Sequence, residues 1–286
     1  MPQESATSVD QPAVQQSLAD VTFDTLPGDG FEDALTHLPA GSRLAVVLTP
    51  HLGMDQTVEK TVLASERGYE VVPHVAARFI EDADELDRIA GRLQEAGVTD
   101  VFVPGGDRDE PAGKFESALD LLLELERLGY DFDEVGIGGY PTGHKEIPTA
   151  TLHDAMRRKA PHATYLVTQM CFDADAIVDW IDGVRDRGID LPVEVGIAGV
   201  MEYRRLMTLA RRWGVTNPLE FARKTAGVFT FLRELVLSGG HYAPDDMLPV
   251  IATKQDDPRY DIRRLRLYTF NQTKETEAWR QEWLSE

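Results

Sequence analysis

Cysteine is almost absent from this chain of 286 residues, and several patterns that would define a compartment or a cofactor are missing as well. The single cysteine, Cys171, excludes an internal disulfide and a cysteine-based metal cluster, which is typical of proteins of the reducing cytoplasm. No run approaches the ~18 apolar residues of a membrane span. The first residues also lack the basic and apolar segments of a secretory signal. We therefore expect a cytoplasmic protein that does not contact a membrane.

The sequence is also short of positive charge. It has 29 lysines and arginines against 49 aspartates and glutamates, which gives a formal net charge of −20. Such a surface repels the phosphates of nucleic acid, so we expect no nucleic-acid partner. The seven histidines include no His-x-x-x-His pair, and no metal site is expected.

The chain does contain a regular alternation of short β-branched runs and longer amphipathic stretches, which is typical of repeated βα units. The predicted strands lie at Val21–Asp24, Leu44–Thr49, Tyr69–Val75, Asp100–Pro104, Val135–Tyr140, Thr164–Gln169, Val193–Ala198 and Arg266–Phe270. Between them, stretches such as Asp82–Ala96 carry apolar residues at helical spacing. We predict an α/β fold, a single-domain (β/α)₈ TIM barrel over residues 20–286, preceded by a flexible leader over residues 1–19.

An open doubly wound sheet is the alternative arrangement of these strands. No Gly-x-Gly-x-x-Gly fingerprint follows the first strand, which favours the barrel. In a barrel the carboxyl ends of all strands meet at one mouth. The polar and glycine residues at the predicted strand ends should therefore form one site: Asp24, Thr49, His74, Gly105, Gly106, Asp107, Tyr140, Gln169 and Thr269.

Each of these candidates has a plain structural alternative. A partly desolvated carboxyl group at Asp24 would suit general acid catalysis, but an aspartate here could equally be a turn or helix N-cap residue. Gly105-Gly106-Asp107 could bring backbone amides to a flat or phosphorylated ligand, or form an ordinary turn. The amide of Gln169 can read the edge of a heterocycle. Cys171 has no activating neighbour and is expected to be buried and structural.

Tyr140 and His144 flank a rigid turn at Pro141 after the fifth predicted strand. Such a pair could hold an aromatic cofactor or its phosphates, whereas a lone histidine in a loop is usually only solvated.

Four segments, in the same order along the chain, resemble the methylenetetrahydrofolate reductase family of flavoprotein barrels. Val167–Asp173 is similar to the family's Ile-Thr-Gln-Phe-Phe-Phe-Asp, and Gly139–His144 to its Tyr-Pro-Glu-x-His loop. Val72–Val75 is similar to its Pro-His-Leu-Thr strand, and Leu267–Asn271 to its closing Phe-Tyr-Thr-Leu-Asn. The resemblance extends roughly over residues 21–272.

The resemblance implies an FAD-dependent oxidoreductase that interconverts 5,10-methylenetetrahydrofolate and 5-methyltetrahydrofolate. NAD(P)H would be the co-substrate, a hydride would pass through flavin N5, and the partner would be a small folate. A homo-oligomer is compatible with apolar positions on the outer helices. The implied catalytic residues are Asp24, Asp107 and Gln169. The implied FAD contacts are Thr49, His74, Gly105, Gly106, Asp107, Tyr140, His144 and Arg158. The substrate contacts would be Gln169, Tyr203 and Asn271.

Two departures from the family pattern leave alternatives open. Asp24 stands where the family has a glutamate acid, which retracts the carboxyl group by ~1.5 Å. Gly105 stands in place of an arginine, whose charge Arg78, Arg108 or Lys145 could supply. One alternative function is a folate-binding barrel that has lost flavin chemistry and acts as a binding or partner subunit. Another is an unrelated barrel lyase or methyltransferase that uses Asp24 and Asp107 as a carboxylate pair.

Overall fold

The computed structural model describes residues 10–202, 205, 208 and 240–285. The strands are β1 Val21–Thr25, β2 Arg43–Val46, β3 Glu70–Pro73, β4 Asp100–Phe102, β5 Glu134–Gly139, β6 Tyr165–Thr168, β7 Val193–Ala198, β8 Met201–Glu202, β9 His241–Tyr242 and β10 Ile262–Tyr268. The α-helices are α1 Gln11–Ala19, α2 Phe31–Thr36, α3 Gly53–Glu66, α4 Ala83–Glu95, α5 Ala118–Leu128, α6 Thr149–Lys159, α7 Ala174–Asp186, α8 Leu248–Gln255 and α9 Thr273–Ser285. Short 3₁₀ turns lie at Ala77–Phe79 and Ala160–His162.

Eight of the strands form one parallel sheet in the order β3-β2-β1-β10-β7-β6-β5-β4. The two ends of this sheet meet where His74 bridges Phe102 and the amide of Val75 donates to the carbonyl of Phe102 at 2.9 Å. The predicted (β/α)₈ barrel is therefore confirmed. The pair β8 and β9 forms a separate antiparallel ribbon.

The outward faces of the strands bury apolar side chains against the helices. In α4, Leu86, Ile89, Ala90 and Leu93 are buried on one stripe, as their spacing predicts. The Asp82 carboxylate caps this helix by accepting from the amide of Glu85 at 2.9 Å. None of the helices in the described part of the chain is long and apolar enough to cross a membrane.

The interior of the barrel is charged toward its amino-terminal end. Arg43 binds the carboxylates of Asp100 and Glu134, the latter at 3.1 Å between Nη2 and Oε2. Arg263 reaches the same Glu134 carboxylate at 2.6 Å, and the Tyr165 hydroxyl donates to Asp100 at 2.9 Å. These interlocked pairs fill the part of the barrel interior that lies below the mouth.

Strand β10 begins at Ile262, four residues before the predicted start at Arg266. The early part of the strand contains Arg263 and Arg264, which obscure the apolar alternation of a buried strand. The register shifts between Ile262 and Arg264, and both arginines reach the interior carboxylate of Glu194, at 3.4 and 3.7 Å.

The predicted leader over residues 1–19 differs from the structure in its second half, where α1 buries Val14 and Leu18 completely. Asp10 accepts from the amide of Ala13 and caps the helix. Nη1 of Arg280, in α9, donates to the carbonyl of Leu18 at 2.7 Å. Gln11–Ala19 is therefore packed against the barrel, because its few apolar residues share one helix face. Residues 1–9 lie outside the described part of the chain.

Candidate functional site

Asp24, Arg266 and His74 form a buried cluster in the barrel, next to the mouth. Nε of Arg266 donates to Oδ1 of Asp24 at 2.5 Å, and Nη2 of Arg266 lies 2.7 Å from Nε2 of His74. The three residues are 3%, 0% and 9% exposed in the order Asp24, Arg266, His74. Because a guanidinium can only donate, Nε2 of His74 is the acceptor and the ring proton is on Nδ1.

Burial sets the charge states in this cluster. Burial raises the pKa of Asp24 to about 6, although the neighbouring Arg266 charge lowers it. Burial, and then the Arg266 charge, lower the pKa of His74 well below its ordinary value, so this imidazole is neutral. Oδ2 of Asp24 has no hydrogen-bond partner among the described residues. The carboxyl group therefore has one oxygen held by arginine and a second oxygen that can carry a proton.

The alternative reading of Asp24 as a helix cap is wrong. The N-cap residue of α2 is Gly30, and Asp24 lies within β1 in register with Ala45 and Tyr268 on the flanking strands. The hydroxyl of Thr269 donates to the Asp24 carbonyl at 2.6 Å and fixes the backbone at this point.

Gly105 and Gly106 follow β4 and have different surroundings. Gly106 has φ 96°, and an added Cβ would meet the ring of Phe79 at 3.1 Å, so the position requires glycine. An added Cβ at Gly105 would meet no heavy atom of the described residues within 4 Å. Asp107 is exposed beyond the two glycines. The loop thus leaves open space beside its backbone at the mouth.

The cations expected to replace the family's arginine are largely engaged. Arg78 donates to the carbonyls of residues 108, 109 and 116 at 2.8, 2.6 and 3.1 Å, and so holds the loop after β4. The guanidinium of Arg108 lies 5.4 Å from the centroid of the Phe79 ring. Nζ of Lys145 is 3.2 Å from a carboxylate oxygen of the adjacent Glu146.

Tyr140 and His144 lie together on the loop after β5, with ring centroids 5.6 Å apart in an edge-to-face arrangement. Nδ1 of His144 accepts from the amides of Glu146 and Ile147, both at 3.2 Å. The imidazole proton is therefore on Nε2, which is available as a donor. At Gly138, just before this loop, the nearest atoms to an added Cβ are 3.8 and 3.9 Å away.

Two residues that follow β6 differ in exposure: the amide of Gln169 is partly accessible, whereas the thiol of Cys171 is buried. Gln169 is half-buried, and its side-chain amide makes no hydrogen bond to another described residue. Cys171 is 3% exposed, its Sγ donates to the carbonyl of Asp173 at 3.4 Å, and burial raises its pKa. The prediction of a buried, structural cysteine is confirmed. The Asp173 side chain caps α7.

The remaining predicted site residues do not all lie at strand ends. Thr49 follows β2, and its carbonyl accepts from the amides of residues 52 and 53 at the start of α3. The Asn271 amide accepts from the Leu26 amide at 2.8 Å and donates to the Leu26 carbonyl at 3.0 Å, so it ties the ends of β10 and β1 together. Arg158 is exposed in the last turn of α6, ~13 Å of helix from its first residue. Tyr203 lies outside the described residues.

Sequence reasoning missed Arg266 as part of the site. The signal was present, because Arg266 alternates with the apolar Leu265 and Leu267, which face the helices. An arginine at an inward position is removed from water and therefore needs a partner. Asp24 on the neighbouring strand is the residue that pairs with Arg266.

A parallel eight-stranded barrel with a polar site at its strand ends is the architecture in which TIM-barrel enzymes carry out catalysis. The sequence profile described as "Methylenetetrahydrofolate reductase" matches residues 50–278, most of this barrel. The chain belongs to the methylenetetrahydrofolate reductase family. The matched region begins after β1 and does not include Asp24. The assignment of Asp24 to the site therefore rests on the fold and not on the family profile.

Relatives from several organisms agree with this assignment. The chain is 28% identical over 151 residues to methylenetetrahydrofolate reductase 2 of Saccharomyces cerevisiae, an alignment covering 49% of this chain and 25% of that protein. It is 25% identical over 198 residues to a probable methylenetetrahydrofolate reductase (NADPH) of Caenorhabditis elegans, covering 63% and 29%. It is 26% identical over 206 residues to the 5,10-methylenetetrahydrofolate reductase of Escherichia coli, covering 71% and 67%. The match thus spans only about a quarter of the length of the yeast and nematode proteins.

Proposed function

We propose that the chain is an FAD-dependent oxidoreductase that interconverts 5,10-methylenetetrahydrofolate and 5-methyltetrahydrofolate, with NAD(P)H as co-substrate. The observation that carries the proposal is a buried carboxyl group, Asp24, at the mouth of a barrel of this family. The family relationship supplies the reaction class, and the barrel supplies an acid at the strand end where the chemistry would occur.

The residues at the mouth fit a flat, phosphorylated cofactor. Open space beside Gly105 lets a ring system approach the backbone closely. Nε2 of His144 offers a hydrogen-bond donor, and Tyr140 offers an aromatic edge next to it. These residues would hold FAD together with Thr49, Gly106 and Asp107. FAD, when bound, supplies hydride transfer between the nicotinamide and the folate.

The chain's own residues would bind the folate and move one proton. The half-buried Gln169 amide has both donors and acceptors with which to read the edge of the pterin ring. Oδ2 of Asp24 would carry the proton that is delivered to the folate nitrogen when the imidazolidine ring opens. A pKa of about 6 keeps a useful fraction of this carboxyl group protonated near neutral pH.

A turnover assay tests this proposal. Purified protein with FAD, NADH or NADPH and 5,10-methylenetetrahydrofolate should oxidise the nicotinamide and form 5-methyltetrahydrofolate in equal amounts. Nicotinamide oxidation without the methyl product, or no oxidation with either nicotinamide, would contradict it.

A folate-binding barrel without flavin chemistry is the second candidate, and the engagement of Arg78 favours it. The Arg78 guanidinium, which would replace the family's arginine, already donates to backbone carbonyls. It therefore has less capacity to bind a diphosphate. This candidate predicts that folate raises the melting temperature while FAD does not. Stabilisation by FAD alone would count against it.

A further inference from the structure

Arg266 is a wholly buried cation that connects three strands of the barrel. It lies on β10, binds Asp24 on β1, and contacts His74 after β3. Its guanidinium also lies 5.0 Å from the centroid of the Phe102 ring. Nη1 has no hydrogen-bond partner among the described residues and is 3.6 Å from a carboxylate oxygen of Glu194.

Arg266 approaches Glu194, as Arg263 and Arg264 do, but its other carboxylate partner differs from theirs. Arg43 and Arg263 share Glu134, and Arg264 reaches the exposed Asp20 at 3.1 Å, all toward the amino-terminal end of the barrel. Arg266 alone among these four binds the carboxyl group next to the mouth.

Stability alone does not account for this arrangement. Removing a guanidinium from water carries a large desolvation penalty, and well-packed apolar residues of similar volume often stabilise a core as well or better. Buried polar atoms in a structural network normally all find partners. Nη1 of Arg266 and Oδ2 of Asp24 both lack one among the described residues. Arg43, Arg264 and Glu194 also have unpaired side-chain atoms, but toward the amino-terminal end, so the pair is distinguished by the place of Oδ2 next to the mouth.

We propose that Arg266 is a positioning residue, which holds Oδ1 of Asp24 so that Oδ2 is presented to the folate, and which orients His74 through Nε2. The proposal rests on the proposed function, because it gives Asp24 the role of proton donor. Arg266 touches neither substrate nor cofactor in this account and acts through its two neighbours. A carboxyl group on a side chain one methylene shorter than glutamate gains from such a fixed partner, because misplacement by about 1 Å can cost ~10²-fold in rate.

Arg266 also controls when Asp24 holds its proton. The charged and titratable groups around the pair are Glu194 on β7, Tyr165 on β6, Tyr268 on β10 and His74. The Arg266 charge has the largest lowering effect on the Asp24 pKa, and the Glu194 charge raises this pKa. Loss of the Arg266 charge should therefore raise the Asp24 pKa and extend activity to higher pH, while the loss of alignment lowers the maximal rate.

The test compares pH–rate profiles of wild type, Arg266→Met, Arg266→Lys and the control Arg263→Met. Arg263 is also an interior arginine and also reaches Glu194, at 3.4 Å, but it binds Glu134 away from the mouth and not Asp24. For Arg266→Met we expect kcat to fall at least ~10-fold with little change in the KM for folate. The descending alkaline limb should move up by about 1–3 pH units. Arg266→Lys should restore part of both effects, because it keeps the charge but not the planar fork.

The outcomes separate this proposal from the proposed function. A wild type without turnover overturns both. An active wild type whose limb is unchanged in Arg266→Met, or shifted equally in Arg263→Met, overturns the positioning role alone. If Arg266→Met does not fold, Arg266→Lys decides: a profile that overlays wild type in both kcat and the alkaline limb contradicts the proposal.

Discussion

Asp24 lies within tight surroundings, because its carboxylate is buried and Nε of Arg266 lies 2.5 Å from Oδ1. The family's glutamate would need one more methylene in the same space. The shorter side chain and the buried arginine therefore fit each other. Substitution of either one alone should lower the rate or the stability.

Substitution of Asp24 separates its chemistry from its packing. Asp24→Asn removes the proton donor and should lower kcat by ~10²–10⁴-fold without changing FAD affinity. Asp24→Glu keeps an acid but overpacks the site against Arg266, so we expect a stability loss of ~1–3 kcal/mol and no gain in rate. Steady-state kinetics and thermal unfolding measure both effects. A faster Asp24→Glu enzyme would show that the space beside Arg266 is free.

The loop after β4 shows how an element shapes the mouth. Gly106 turns the backbone at positive φ against Phe79, and Arg78 fastens the following residues. Gly105 faces open space. Two adjacent glycines therefore have different reasons to be glycine.

Alanine substitutions distinguish these reasons. Gly106→Ala should destabilise the protein by ~1 kcal/mol or more, because a Cβ is strained at this φ and meets the Phe79 ring. Gly105→Ala should leave the melting temperature nearly unchanged but weaken FAD binding, because the added methyl enters the space proposed for the cofactor. Thermal melts and FAD titration of both variants test this. Equal FAD affinity in Gly105→Ala and wild type would remove this loop from the cofactor site.

Helices and strands could be predicted where apolar residues recur at regular spacing. Their bounds were predicted wrongly where charged residues interrupt that spacing. The stripe of α4 and the eight strands follow directly from apolar spacing. The start of β10 does not, because Arg263 and Arg264 face carboxylates that are distant in sequence. The Asp24–Arg266 pair, 242 residues apart, depends on the closing of the barrel, which no local pattern encodes.

The folded unit includes more of the N-terminus than the polar composition of that segment suggests. Leu18 of α1 is fully buried, and its carbonyl accepts from Arg280 at 2.7 Å. Leu18→Ala should therefore lower the free energy of unfolding by ~2–5 kcal/mol. The matched control is Leu123→Ala at a residue that is 45% exposed, with an expected change below ~0.5 kcal/mol. Chemical denaturation checks both, and equal losses would contradict the packing of α1.

The whole molecule is a barrel of the methylenetetrahydrofolate reductase family whose mouth we propose to hold FAD beside Asp24. The visible absorbance spectrum of the purified protein, after addition of FAD and removal of the unbound excess, tests this most directly. The account predicts retained flavin absorbance that NAD(P)H bleaches and 5,10-methylenetetrahydrofolate restores. A colourless protein that gains no flavin absorbance from added FAD would contradict it.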